Sequence, residues 1–352
     1  MRDDSGARPG RRMRMAGLAL LAATAMAWSA PAHAAISVVA SIKPVHSLVA
    51  AVMEGAGEPS LIVTGSGSPH GFSLKPSQAK ALEEADVVFW IGHGMENFLA
   101  GPLETLSGKA HVVELGDAEG LVRLPYREGG AFEAHDHAHE GHDHAHEGGD
   151  DHDHADGDDD HSHEEHAAHD HEDEHEHEHE GADMHLWLDP QNARAMVTAI
   201  AGALAEVDPD NAARYRENAR RLDATLAALT NELGDRLEPV RGKPYIVFHD
   251  AYHYFEDRFG LTAAGSVTIN PQTLPGAKRV GEIRHRIEDA HAACIFAEPQ
   301  FDDRIVRAIA EGTGARTGVL DPLGASLDDG PGLYPALLRG MANSFADCLG
   351  AD

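Results

Sequence analysis

Over residues 133–180 the chain carries 21 acids, 16 histidines and no Lys or Arg. With so few apolar residues the segment has little to bury against the entropy of ordering it, and it is expected to be disordered. Any folded core must therefore be assembled from the sequence on either side. The same window accounts for about two-thirds of the formal net charge of −31; the first 34 residues carry +3, which leaves −13 on the other 270. That remainder is the balance of an ordinary acidic globular protein. It offers no basic stripe for nucleic acid and no positive surface for anionic lipid. At 42% hydrophobic, the flanking sequence is long enough to bury a sizeable core and is expected to form two domains.

The first residues read as an export signal. Arg11, Arg12 and Arg14 precede an apolar run over 16–28, and Ala32-His33-Ala34 supplies the small residues of a cleavage site. The run is too short to span a bilayer, and no second stretch in the chain reaches that length. Cleavage near Ala34 with no cysteine beside it implies a free periplasmic protein rather than a lipid-anchored one. Cys294 and Cys348 are the only cysteines. An oxidising compartment favours pairing them, a link worth on the order of 3–4 kcal/mol in the chain-entropy model; the alternative is two buried free thiols.

Short β-branched runs alternate with helical patterns on both sides of the acidic window. Strands are expected over 36–40, 61–63, 87–91 and 111–115, with helices over 44–54, 77–84 and 95–106 among them. The rhythm returns with strands over 245–248, 261–267, 293–297 and 316–320 and helices over 252–259, 275–289, 302–311 and 334–349. Such alternation predicts an α/β fold of two lobes, each a mostly parallel sheet covered by helices. Between the lobes, 190–238 is almost entirely helical in composition. Asp189 can cap and Pro190 occupy the first turn of one helix, and Asp208-Pro209 repeats the signal. The run over 211–237 would extend about 40 Å at 1.5 Å per residue, either as a rigid helix joining the lobes or as part of a hairpin packed on one of them. The expected division is 1–34 signal peptide, 35–127 N-terminal α/β lobe, 128–183 disordered His/Asp/Glu-rich metal-binding loop, 184–207 helical segment closing the N-terminal lobe, 208–240 linking helix and 241–352 C-terminal α/β lobe.

The window's composition is that of a metal-gathering tract. Its histidines are His135, His137, His139, His142, His144, His146, His152, His154, His161, His163, His166, His169, His171, His175, His177 and His179. Neutral imidazole suits Zn, Cu and Ni, and the neighbouring carboxylates add charge attraction, but such a tract supplies no single geometry. A specific site must come from the folded part, where α/β sheets bind ligands beyond the carboxyl ends of their strands. His70 lies in the loop Gly65-Ser66-Gly67-Ser68-Pro69-His70-Gly71 after one strand, His185 directly before a helix start, and His249 at the end of another strand. Each alone is as well explained as a satisfied packed histidine; their common placement at element ends marks them as one candidate site.

The segments around them carry a family resemblance. Pro69-His70 with Lys75-Pro76-Ser77, Met184-His185-Leu186-Trp187-Leu188, Val247-Phe248-His249-Asp250-Ala251-Tyr252, Phe296-Ala297-Glu298-Pro299-Gln300-Phe301 and Leu320-Asp321-Pro322-Leu323-Gly324 resemble those of ZnuA-type proteins. These are the periplasmic zinc-binding components of zinc-uptake ABC transporters. The resemblance covers nearly the whole mature chain, including a His/acid-rich insertion in the corresponding place and the cysteine pair. It implies two parallel-sheet α/β lobes joined by a long rigid helix, with Zn2+ in the interlobe cleft. It also implies a monomer that does not insert in the membrane and delivers Zn2+ to a permease with its cytoplasmic ATPase. Position by position, it implies that His70, His185 and His249 are ligands. Some relatives place a Glu before the first of these, where this chain has Pro69. The fourth position then falls to Asp321, matching an aspartate that closes related sites and favoured over water; the alternative for Asp321 is a capping or turn role before Pro322. Manganese-binding relatives have a carboxylate where this chain has His249, and imidazole suits Zn2+ better than Mn2+.

Two other functions fit parts of the pattern. Three histidines with an open position also activate water in zinc hydrolases, but neither an H-E-x-x-H arrangement nor a nucleophile elbow is present, so no enzyme is expected. A zinc buffer would rely on the tract alone. For the capture protein, ligands drawn from both lobes, His70 and His185 from the first and His249 with Asp321 from the second, would let zinc stabilise one lobe orientation. Because a rigid helix spine would limit closure, the expected change is ordering of the loop over 65–72 rather than a wide hinge rotation.

Overall fold

The computed structural model of the chain describes Met1 and residues 36–127, 132, 181–268 and 270–351. The expected signal peptide, Met1 apart, and all sixteen tract histidines lie outside the described residues.

The first lobe comprises β1 (Val38–Ala40), α1 (Lys43–Val52), β2 (Ser60–Leu61), α2 (Pro76–Glu83), β3 (Val87–Trp90), α3 (Asn97–Leu106) and β4 (His111–Glu114). Its four strands pair in parallel in the order β2-β1-β3-β4. Every residue of β1 and β3 is buried, which is why their sequences are unbroken apolar runs rather than alternating ones. After α4 (Pro190–Val207) and α5 (Ala212–Leu237), the second lobe repeats the plan with β5 (Tyr245–His249), α6 (His253–Phe259), β6 (Ala263–Thr268), α7 (Ala277–Ala290), β7 (Cys294–Ala297), α8 (Arg304–Ala310), β8 (Arg316–Val319) and α9 (Leu333–Gly350). Its parallel order is β6-β5-β7-β8, the same arrangement as in the first lobe.

The helices between the lobes form as their sequences dictate. Asp189 caps α4 by accepting from Gln191 N at 2.8 Å, with Pro190 in the first turn. The 26 residues of α5 bury Tyr215, Leu222, Leu226, Leu229, Leu233 and Leu237, a stripe at three- and four-residue spacing on one face. This helix packs along α4 and also touches α1 in the first lobe and α6 and α9 in the second, so it serves as a spine shared by both.

Strand alternation divides the core. On the second sheet, Ile246, Phe248, Ile295 and Ala297 face α7 and α8 in a small cluster with Ile283, Ile287, Val306 and Ile309. Tyr245, Val247, Cys294 and Phe296 point the other way, into a large cluster that continues through α9, α5 and α4 to the first sheet. One hydrophobic core therefore runs through both lobes. Cys294 in β7 is joined to Cys348 in α9, with the Cα atoms 6.2 Å apart and a sequence separation of 54.

The C-terminal edge of the expected loop over 128–183 differs from expectation. Ala182 pairs with Pro125 in an antiparallel bridge, Tyr126 N donates to Gly181 O at 3.1 Å and Asp183 N to Leu124 O at 2.9 Å. The last residues of that window thus belong to a short stem, because their backbone groups find partners in the strand-like segment that leaves the first lobe. Asp183 within it is buried.

Candidate metal centre

His249 is the last residue of β5, at the carboxyl edge of the second sheet. In the order β6-β5-β7-β8 this edge opens into a crevice between β5 and β7, the usual ligand position of such sheets. Glu298, directly after β7, is buried beside it, and its Oε1 lies 2.6 Å from His249 Nδ1. His185 arrives from the opposite direction, one residue beyond the stem. Asp183 Oδ1 accepts from His185 N at 2.9 Å and lies 2.7 Å from His185 Nδ1. In each case a carboxylate holds the proton on Nδ1, so Nε2 presents its lone pair to the cleft.

The two Nε2 atoms are 3.4 Å apart. A tetrahedral zinc with Zn–N bonds of 2.0–2.1 Å has ligand–ligand edges of about 3.3–3.4 Å, so this pair is already at the spacing of two zinc ligands. His70, on the 3-10 turn Pro69–Gly71 of the first lobe, supplies a third nitrogen. One ligand atom from each histidine lies within 4.8 Å of the others, with ring centroids 5.3 to 5.6 Å apart. Three imidazoles thus converge with no side chain between them, and together they fit a soft or borderline divalent cation.

Charge around the cluster is arranged to keep it in place. Burial alone would depress the His249 pKa, but the carboxylates around it, Glu298 foremost with Asp250 and Asp183, together hold it above the ordinary histidine range. Burial pushes Asp183 up to about 7. Behind the ligands, Arg127 at the foot of the stem donates to Asp250 and Glu256 of the second lobe, and Tyr245 OH donates to Glu256 at 2.6 Å. Arg258 of α6 forms a two-pronged pair with Asp189, at 2.8 and 2.7 Å. Both pairs cross from one lobe to the other within a few residues of a ligand.

The three expected histidines are therefore brought together, and Asp321 is not brought to them. Its carboxylate closes the turn that follows, accepting from Leu323 N at 3.1 Å, Gly324 N at 2.9 Å and Ala325 N at 2.6 Å, and also from Gln300 Nε2 at 2.9 Å. Three backbone donors hold it in the turn role weighed for it from sequence. Gln300 lines the same cleft as the histidines, and its Oε1 is buried without a hydrogen-bond partner. His93, after β3, packs its ring against Trp90, with centroids 4.9 Å apart. Sequence inspection passed over Asp183. Its signal is the spacing Asp183-Met184-His185, which lets a carboxylate reach the imidazole two residues on.

Known proteins resemble the chain along most of its length. The family model described as "Zinc-uptake complex component A periplasmic" matches residues 38–348. The high-affinity zinc uptake system protein ZnuA of Brucella abortus is 57% identical over 313 residues, 89% of this chain and 91% of that protein. Its namesake in Paracoccus denitrificans is 41% identical, covering 97% of this chain and all of that one. Among solved structures, a ZnuA deletion mutant with zinc bound superposes with a TM-score of 0.68 at 25% identity, over 91% of this chain and all of that one. The fold of another ZnuA crystal structure agrees at a TM-score of 0.67 and 24% identity, covering 90% and 99% of the two chains. Among the described residues no helix is long and apolar enough to cross a membrane. By the span of the family match and the identity of these relatives, the chain belongs to the ZnuA family of periplasmic zinc-uptake components.

Proposed function

We propose that the chain, after removal of residues 1–34, is a periplasmic solute-binding protein that captures one Zn2+ with high affinity. It hands the ion to an ABC-type zinc permease driven by a cytoplasmic ATPase. The observation that carries this reading is the pair of carboxylate-backed imidazoles whose Nε2 atoms stand 3.4 Å apart. His70, His185 and His249 are the protein ligands, two lobes contributing to one ion. The fourth position belongs to a water. Asp321 is committed to its turn, and Gln300 Oε1, buried and unpartnered, is an acceptor for that water's proton. Asp183 and Glu298 orient ligands rather than serving as catalytic bases, and the protein acts as a monomeric carrier, not as an enzyme. The tract histidines over 135–179 gather additional zinc beside this site.

Zinc titration of the wild type and of a variant lacking 133–180 tests the reading. One tight site is expected to survive the deletion, whereas total loss of tight binding would favour a zinc buffer built on the tract alone. His249→Ala is expected to remove the tight site and leave weaker binding by the tract; an unchanged tight stoichiometry would overturn the assignment.

A further inference from the structure

The turn after β6 meets the first lobe at the residue next to one of the metal ligands. Thr268, the last residue of β6, is the register partner of His249 on β5, so the turn departs at the level of the second lobe's ligand. The Thr268 hydroxyl lies 2.8 Å from Asn270 O and 3.2 Å from Thr273 O. Asn270 Oδ1 accepts from Gln272 N at 2.9 Å, Thr273 N donates to Asn270 O at 3.0 Å, and Pro271 is buried. These bonds fix the direction in which Gln272 is presented.

That direction is toward the first lobe, at the residue after His70. A Cβ on Gly71 would lie 1.6 Å from Gln272 Nε2 and 2.2 Å from Gln272 Cδ. The glutamine amide thus occupies the volume that any other side chain at position 71 would need. Gly71 is not among the glycines with positive φ, so its backbone sets no demand for glycine, and a side chain here would be seated by displacing the glutamine amide. Of the three ligands, His70 is the least buried and stands on the shortest element. His185 and His249 are buried and braced by Asp183 and Glu298. His70 is less buried, sits on a three-residue turn and is preceded by Gly65 and Gly67. The closing bond of that turn, Gly71 N to Ser68 O, is long at 3.4 Å.

We infer that Gln272 is a positioning residue for cargo retention: by filling the notch at Gly71 it holds the His70 turn against the second lobe and slows zinc release. This inference rests on the zinc-capture function proposed above. It locates the release step in the separation of one side chain from one glycine, with the shared core of the lobes left intact.

The test uses the full mature chain loaded with one equivalent of zinc and mixed with excess chromogenic chelator in a stopped-flow instrument. The slow phase that His249→Ala abolishes belongs to this site. Gln272→Ala is expected to accelerate it more than about threefold, the change falling on the dissociation rate, with the melting temperature of the zinc-free protein unchanged because Gln272 is exposed. Gly71→Ala, which expels the amide, is expected to accelerate release to a similar extent, and the double variant to release no faster than either single one. Gln272→Met, which refills the notch without the amide, should restore slow release. Acceleration below about threefold in both single variants, or a double variant whose effect is the product of the two, overturns the inference. A wild-type slow phase that persists in His249→Ala would instead overturn the zinc site itself, so the two failures are distinguishable.

Discussion

Two buried carboxylates determine how the imidazoles meet a cation. Glu298 and Asp183 each take the Nδ1 side of a histidine, which fixes the tautomer and turns Nε2 into the cleft. Replacing Glu298 by Gln should weaken zinc binding about 10- to 100-fold, as removal of such partners does in other metal sites; a chelator-competition titration checks it. The same carboxylate raises the His249 pKa, and zinc binds only the neutral ring. As pH falls through that raised value the proton competes with zinc, so affinity declines. In Glu298→Gln the decline should begin at lower pH than in the wild type, and a profile bending at the same pH would show that Glu298 does not set it. Asp321→Ala should cost far less zinc affinity than His249→Ala, while loosening the turn its carboxylate closes; equal losses in the two variants would restore Asp321 as a ligand. At this scale the three histidines were legible only together: each alone reads as a packed histidine, and it was their shared placement at the ends of elements that marked them. Asp321 was harder to assign, since Asp-Pro-Leu-Gly can supply a ligand or close a turn, and the backbone donors of Leu323, Gly324 and Ala325 that its carboxylate meets carry no mark in the sequence.

Among the elements, the βα rhythm announced both sheets because buried parallel strands need uninterrupted apolar runs. Their ends were less visible. The expected helix over 95–106 begins only at Asn97, because Glu96 is used otherwise. It is fully buried, accepts from Ile91 N, Gly92 N and the Ser41 hydroxyl, and is pushed by that burial up to about 7. A run of good helix formers carries no trace of such a clamp. The pairing of Cys294 with Cys348 ties β7, in the middle of the second sheet, to the last turns of α9. Replacing both cysteines by alanine should lower stability by about 3–4 kcal/mol, chiefly by freeing the unfolded chain. Urea denaturation of the mature protein measures it. Zinc stoichiometry should be retained, since neither cysteine lies among the residues lining the cleft.

At the scale of the whole molecule, sequence periodicity showed two lobes but not that they are fused. The fusion comes from long-range packing, in which one face of the second sheet, α9, α5 and the first sheet contribute to a single core. Polar links reinforce it. Lys43 Nζ, buried in α1, donates to Leu327 O at 2.8 Å, Tyr334 N of α9 donates to the Ser47 hydroxyl at 2.9 Å, and Arg127 and Arg258 each bind acids of the opposite lobe. A hinge rotation opening the cleft would have to expose part of this core at about 25 cal/mol per Å² of apolar surface and strand buried charges that cost several kcal/mol when unpaired. Loss of one ion from a cleft lined by a few side chains offers no comparable compensation. Release should therefore proceed by local movement of the 65–72 loop while the lobes keep their relation. Pulsed-EPR distances between spin labels at Glu104 in α3 and Arg307 in α8, one on each lobe, are expected to agree within about 2 Å with and without zinc, the scale of side-chain and loop adjustment. A second pair, at Ser66 in the loop and Arg307, should broaden or shift when zinc is removed. A change of about 5 Å or more in the first pair would mean that the shared core yields to the metal, and that this carrier opens as two bodies after all.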